Sequence, residues 1–469
     1  MGLRILFLSS EVAPFSKTGG LGDVAGALPW AFSARGHDVR VVTPLYRGVP
    51  RATLQLVGAP ITVELPAGKS EVRVYRAPAP GELLFLDAPE LFDRDEYYGY
   101  PDDARRFAVF SMAALSLAQR DGFIPDVVHC NDWPTGLALL ALRHGFVHTP
   151  LGKARTVFTI HNLAYQGLFP KGDVEALGIP WDQFSPSGVE FWDQLSFMKA
   201  ALVSADLITT VSPTYAKEIQ TPAFGAGLDG LLRHRGDVLH GILNGVDVNE
   251  WNPATDVFLP RQYTLTELAG RASCRNELIA SCRIDAPVEG MPLFGVIGRM
   301  AAQKGADLLQ AALPKLLEQG ASAIVLGAGD ASVQRDWQGL AARFPRRLAV
   351  RVGFDNSLAH RIEAGSDFFL MPSRFEPCGL SQMYSLLYGS IPVVHGVGGL
   401  LDTVVDIKQP NGNGIVFKSP TPEALFDALV RAVALYRDRP AYTAVQARGM
   451  KCDFGWAAPA AEYERLFTS

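Results

Sequence analysis

The sequence predicts an α/β protein of two doubly wound, Rossmann-like domains facing across a deep cleft. Three observations lead there. Apolar runs of strand length alternate with helical patterns of about 10–15 residues, the signature of βαβ units. The alternation stops once, at 244–265, and then restarts. The chemically informative motifs fall just after strand-like runs, where open parallel sheets bind ligands.

Residues 3–9 (LRILFLS), 38–43, 126–130, 155–160 and 206–211 are continuous apolar runs, as expected of strands buried on both faces. Helical patterns at 104–119 and 135–146 lie between them. Residues 61–86 differ: ITVEL, EVRVYR and ELLFL predict three antiparallel strands added at an edge. The polar, turn-rich stretch 244–265 predicts an interdomain linker, so the N-terminal domain is 1–243. The C-terminal domain, 266–455, carries strands at 292–297, 323–327, 348–352, 366–371 and 391–395 and ends in helices at 421–437 and 440–450. A last helix lies within 456–469; Tyr463, Leu466 and Phe467 share its apolar side and must be buried somewhere.

The composition is that of an ordinary globular chain. It has 469 residues, 48% hydrophobic and 19% charged, enough to bury large cores without metal or disulfide staples. Lys and Arg number 43 against 48 Asp and Glu, a net charge of -5, so neither nucleic acid nor a membrane surface is an expected partner. No run approaches the roughly 20 apolar residues of a membrane span. The run Ile5–Leu8 is too short for a signal peptide core and reads as the first strand. Cys130, Cys274, Cys282, Cys378 and Cys452 have no CxxC spacing and read as small, reduced hydrophobes of a cytoplasmic protein.

Five motifs carry chemistry. Lys17-Thr18-Gly19-Gly20-Leu21-Gly22-Asp23 follows the first strand and precedes a helix starting near Val24. Its glycines allow backbone amides to converge on an anion, and Lys17 adds a point charge; the plain alternative is a glycine turn. Arg299 and Lys304, in GRMAAQKG, follow a strand and open a helix; two cations there suit a diphosphate. Glu376, in SRFEPCGLSQ, precedes a helix starting near Gly379 and reads either as a cap or as a ligand to sugar hydroxyls. His161-Asn162 and Asn131-Asp132-Trp133 also follow strands; Asp132 reads as a helix cap or a ligand. The triplet Asp93-Arg94-Asp95 matches a metal-and-nucleotide pattern of other sugar transferases, but three residues arise easily by chance. No metal or cofactor is expected.

Together SSEVAPFSKTGGLGDV (9–24), GILNGVDVNEWNPATD (241–256), GRMAAQKG (298–305) and SRFEPCGLSQMY (373–384) resemble the ADP-glucose-dependent glycogen synthases of bacteria and the starch synthases of plants. The resemblance spans essentially the whole chain. It implies a GT-B fold, with the last helix crossing back to the N-terminal domain. It implies a retaining hexosyltransferase that moves glucose from ADP-glucose to the non-reducing 4-OH of an α-1,4-glucan in glycogen biosynthesis. The implied catalytic residues are Lys17, Asp132, His161 and Glu376. The implied binding residues are Lys17, Gly19, Gly20, Asp23, Asn162, Asn244, Arg299, Lys304, Cys378, Gly379, Leu380 and Tyr384. In that reading Arg299 and Lys304 neutralise the diphosphate, Glu376 holds glucose hydroxyls, and the leaving phosphate takes the acceptor's proton. Tyr384 stands where the wider superfamily has a second glutamate, and Pro134 where many relatives have His or Gln. Two rivals stay open: a related transferase using UDP-glucose or another acceptor, and a non-catalytic glucan- or nucleotide-binding protein. The sequence says nothing of oligomeric state.

Overall fold

The structure, a computed structural model, describes residues 2–79 and 81–469. The chain divides into two compact units, Met1–Gly245 with Trp456–Ser469, and Val246–Gly455.

The sheet of the first unit runs, in spatial order, Leu239–Gly241, Leu207–Thr210, Arg155–Ile160, Val127–Asn131, Arg4–Leu8, Asp38–Pro44, Glu82–Asp87, Gly68–Arg76 and Gln55–Leu56. The first seven are parallel, with Ile5 opposite Val39 on one side and Val127 on the other. The chain therefore starts at Arg4–Leu8, builds outward through Asp38–Pro44, and later crosses back to Val127–Asn131. That reversal is a topological switch point, the place where crossovers diverge and leave a crevice beyond the strand ends.

One expectation is corrected here. Glu82–Asp87 is not part of an antiparallel insertion alone, because it pairs parallel with Asp38–Pro44 and antiparallel with Gly68–Arg76. Five of its six residues are buried, as its unbroken apolar run requires of a strand covered on both faces. The antiparallel edge is Ile61–Leu65, Gly68–Arg76 and Gln55–Leu56, the first two alternating buried and exposed. A small sheet of Leu168–Pro170, Gln194–Ser196 and Glu190–Phe191 has strands too short to show a period in sequence.

The last helix, Ala457–Thr468, belongs to the first unit. Tyr463, Leu466 and Phe467 join the core that holds Phe7, Leu28 and Phe32. Tyr463 meets Phe32 edge-on at 5.9 Å, and Phe467 meets it at 5.5 Å.

The second unit has six parallel strands in the order Leu348–Val352, Ser322–Gly327, Leu293–Ile297, Phe368–Met371, Ile391–His395 and Ile415–Phe417. Counted along the chain this is 3-2-1-4-5-6, with its switch point between Leu293–Ile297 and Phe368–Met371.

Residues 246–265 are part of this unit and not a linker. Trp251 is sandwiched between His360, at 3.9 Å, and Tyr384, at 3.8 Å. Buried Asp256 accepts from Tyr388 Oη at 2.6 Å and pairs with His360 Nδ1 at 2.7 Å. The polar composition of this stretch serves inward hydrogen bonds, which sequence polarity cannot distinguish from exposure. Among the described residues no helix is long and apolar enough to cross a membrane.

Candidate active site

In the first unit the site residues gather past the carboxyl ends of Arg4–Leu8, Val127–Asn131 and Arg155–Ile160. Lys17 Nζ contacts Asp23 Oδ1 at 2.6 Å, so the expected cation and the expected acid are each other's partners. The ammonium retains two further donors. Burial pushes the Asp23 carboxyl above its usual range, against the pull of Lys17. The helix begins at Gly20, one turn earlier than the expected Val24. Gly19 is its N-cap and no side chain caps it, so its first amides must find partners elsewhere.

Glu11 holds this loop; it lies within the 9–24 segment but was not among the expected site residues. It is 3% exposed and accepts from Tyr98 Oη and Thr18 Oγ1, both at 2.7 Å, and from the Thr18 amide. Burial raises its carboxyl, with those bonds opposing. A glutamate three residues past a strand carries no pattern that spacing could flag.

Asp132 is the first residue beyond Val127–Asn131 and has φ +55. Its expected role as a helix cap is not found, since no side chain caps Trp133–Thr135. Instead Oδ1 accepts the amides of His161, at 2.7 Å, and Asn162, at 3.4 Å, tying two strand ends together. Burial pushes its carboxyl up to about 7, while those two amides pull it down. Asn131 donates through Nδ2 to Leu8 O at 2.9 Å and meets His161 Nε2 with Oδ1 at 3.0 Å. Asn131 is thus oriented, so His161 carries its proton on Nε2 and its lone pair on Nδ1. Burial lowers the His161 pKa to about 3, which keeps the ring neutral. Asn162 turns its Oδ1 onto the Ala164 amide at 3.0 Å, a local turn bond. Asn244 is buried, shortly after the strand Leu239–Gly241.

In the second unit Glu376 and Lys304 meet. Glu376 is 7% exposed, and its Oε2 accepts from Lys304 Nζ at 2.6 Å and Ser373 Oγ at 2.9 Å. Glu376 is therefore neither a helix cap nor solvent-facing. Arg299 is exposed and donates to Gln303 Oε1 at 3.1 Å. Neither cation opens a helix: they occupy a loop with a short turn at Ala302–Lys304, and the helix starts at Ala306. Arg374 N donates to Gln303 O at 2.8 Å, joining the loops that follow the two switch-point strands.

Two glycines make this approach possible. A Cβ on Gly305, at φ +69, would lie 2.3 Å from Pro372 O, and one on Gly398, at φ +45, would lie 1.9 Å from Glu376 O. The glycine-rich loop 396–399 is thus a packing partner of the Glu376 loop. Gly379, at φ +73, turns the chain into the helix Ser381–Tyr388, which starts two residues later than expected and has no side-chain cap. Leu380 is its N-cap residue. Buried Cys378 offers its carbonyl to Gln382 Nε2 at 3.1 Å, and Tyr384 lies in the Trp251 stack. Both read as supports of the loop.

Phe354 is a further candidate that the sequence did not single out. It follows the strand Leu348–Val352 and is 86% exposed, at the carboxyl edge that Arg299 and Glu376 share. Asp93 and Asp95 both pair with Arg47, at 2.8 and 2.5 Å, on the surface.

Comparison with known proteins gives concordant results. The family model described as starch synthase catalytic domain matches residues 4–234, and that of glycosyl transferases group 1 matches 291–434. The chain is 50% identical to a glycogen synthase of Myxococcus xanthus and 51% identical to one of Anaeromyxobacter dehalogenans, each alignment covering 99% of both chains. In structure it is similar to the catalytic domain of starch synthase IV from Arabidopsis thaliana bound to ADP and acarbose. That match has a TM-score of 0.95 and 32% identity, over 100% of this chain and 99% of the other.

Proposed function

This chain belongs to the glycogen synthase family of GT-B glucosyltransferases, and we propose that it moves glucose from ADP-glucose to the non-reducing 4-OH of an α-1,4-glucan with retention of configuration. As a member it takes a nucleotide-sugar donor and a glucan acceptor; the choice of ADP-glucose is the proposal. The ADP bound to the Arabidopsis enzyme supports it. We place the reaction in the cytoplasm, in keeping with five cysteines, none of them in a disulfide.

The observation that carries the assignment is the Lys304–Glu376 pair at the switch point of the second unit. The reaction must stabilise a departing diphosphate and an electron-poor sugar carbon together. Lys304 gives one donor to Glu376 and keeps two for phosphate, and Arg299 brings a planar fork to the same charge. Such fixed donors act on charge as it develops and need no reorganisation. Glu376 takes both protein donors on Oε2, so Oε1 is the oxygen for glucose hydroxyls. Gly379 and Leu380 add backbone amides to the phosphate site. Phe354 supplies a flat apolar face for the base. In the first unit, Lys17, Gly19 and Gly20 serve phosphate, with Asp23 positioning Lys17. Neutral His161 offers an acceptor on Nδ1 to a sugar hydroxyl, and Asp132 and Asn131 hold it in place. Asn162 and Asn244 complete the polar wall.

Glucose transfer from ADP-glucose and UDP-glucose, each with and without glycogen, tests this reading. Primer-dependent transfer that favours ADP-glucose supports it; preference for UDP-glucose or independence of glucan overturns it.

A further inference from the structure

The strands Glu190–Phe191 and Gln194–Ser196 form a hairpin closed by Trp192 and Asp193. Both turn residues have positive φ, +52 and +60. Two-residue turns of this hand favour Asn-Gly, because a bulky side chain is strained there. This chain places a tryptophan at the position and leaves it 80% exposed. The turn is held from within and from outside: the Asp193 amide donates to Glu190 Oε1 of the hairpin's own strand at 2.8 Å, and the Asp193 carboxylate pairs with Lys171 at 2.9 Å. Strained backbone of this kind clusters at ligand sites, where the surroundings enforce it.

A cavity of about 600 Å³ lies beside the hairpin, with Phe191, Lys199, Gly227, Leu228 and Arg235 in its wall. Trp192 stands at its rim, since a Cβ on Gly227 would lie 2.9 Å from the Phe191 ring and 3.6 Å from Trp192 Nε1. The cations of the wall are engaged with carbonyls. Lys199 Nζ donates to Pro186 O at 2.7 Å and to Glu190 O, and Arg235 donates to Leu202 O and Ala205 O, both at 2.6 Å. With those donors occupied by carbonyls, the wall presents mixed apolar and polar groups, and such a surface suits a polyhydroxyl chain. Sugar C–H faces can stack on the indole while hydroxyls meet polar atoms.

The hairpin is also joined to the site. A Cβ on Gly167 would lie 2.4 Å from the ring of Trp133, the neighbour of Asp132. From Gly167 the strand Leu168–Pro170 runs antiparallel to Gln194–Ser196 and ends beside Lys171, the partner of Asp193. At ~3.3 Å per residue, Lys171 lies roughly 13 Å from Gly167.

We propose that Trp192 and the adjacent cavity form an outer subsite for the α-glucan acceptor, gripping the chain several glucose units from its reacting end. The proposal rests on the glucan-acceptor reading above.

Trp192→Ala and Trp192→Asn test it. The asparagine suits the positive φ, so that variant keeps the turn while removing the ring. Transfer is measured with glycogen and with maltotriose as primers, and glycogen binding is measured by co-sedimentation without donor. In both variants the half-saturating glycogen concentration should rise about three- to tenfold, as for loss of one aromatic contact. The constants for maltotriose and ADP-glucose should not move. Unchanged glycogen affinity in Trp192→Asn overturns the proposal, as does an equal loss on both primers. Wild-type protein that transfers no glucose to glucan defeats the functional reading instead, and co-sedimentation of the variants still decides the subsite.

Discussion

Lys304 and Glu376 show how one contact can set several expectations. Loss of a preorganised donor to developing charge typically costs ~2.7–4 kcal/mol, or ~10²–10³ in turnover. Arg299→Ala and Lys304→Ala should each lose about that much; near-normal turnover in the folded variants would remove them from the diphosphate. If Glu376 holds the sugar as proposed, Glu376→Ala should lose turnover while ADP affinity changes little; calorimetry with ADP separates the two. Phe354→Ala should do the reverse and weaken ADP by about 1–3 kcal/mol, the usual value of a base stacked on an aromatic ring. The buried network around Asp132 also predicts a pH response. His129 and His161 titrate near 3 when folded and near 6.5 when not, because burial disfavours their charge. Each contributes stability that is lost as pH falls from about 6.5 toward 3. Asp132 works oppositely, since its folded value of about 7 exceeds the ordinary 3.8, so its contribution falls as pH rises between them. Glu11, Asp23 and Glu363 are also raised by burial and oppose the histidines, so the histidine contribution is read as a difference between variants. On going from pH 6.5 to 5 the melting temperature of His161→Asn should fall less, or rise more, than that of the unmutated protein; an equal change would show that His161 is not one of the titrating groups.

At the scale of elements, the loops past the switch-point strands depend on close backbone approach. Gly398→Ala would put a methyl 1.9 Å from Glu376 O at a positive φ. Forced overpacking costs about 1–3 kcal/mol, and here it displaces Glu376. Turnover should fall together with stability, and a stable, fully active variant would show that the loop can yield. The helix Ala457–Thr468 covers Phe32 with Tyr463 and Phe467. Each such side chain buried contributes roughly 1.5–3 kcal/mol. Deleting 457–469 should therefore lower the melting temperature clearly, and an unchanged value would make the helix dispensable.

At the scale of the molecule, the second unit is an insertion into the first, which leaves it at Gly245 and resumes at Trp456. The two ends of the insert are bonded, Val246 N donating to Phe454 O at 2.8 Å. The fragment 246–455 has its own sheet and cores. It should melt cooperatively and bind ADP without the first unit, as calorimetry and titration can show. Failure to fold would mean that its cores need the rest of the chain.

The sequence by itself determined the two doubly wound units, most strand positions and the strand-end motifs. Those features rest on local signals: unbroken apolar runs, helical period, and glycines or charges at fixed spacing. Arg299, Lys304, Glu376, Lys17 and His161 stood out as candidates for that reason. Glu11, Phe354 and Trp192 did not, because what draws attention to them is burial, exposure and φ, which a residue acquires only from its neighbours. The same holds for 246–265, whose polar residues look like a linker until Asp256 meets Tyr388 more than a hundred positions away. Tertiary structure decided which charges pair. The partners Lys304–Glu376 and Arg47–Asp93 lie 72 and 46 residues apart, and hydrogen bonds depend on distances in space that sequence separation does not encode.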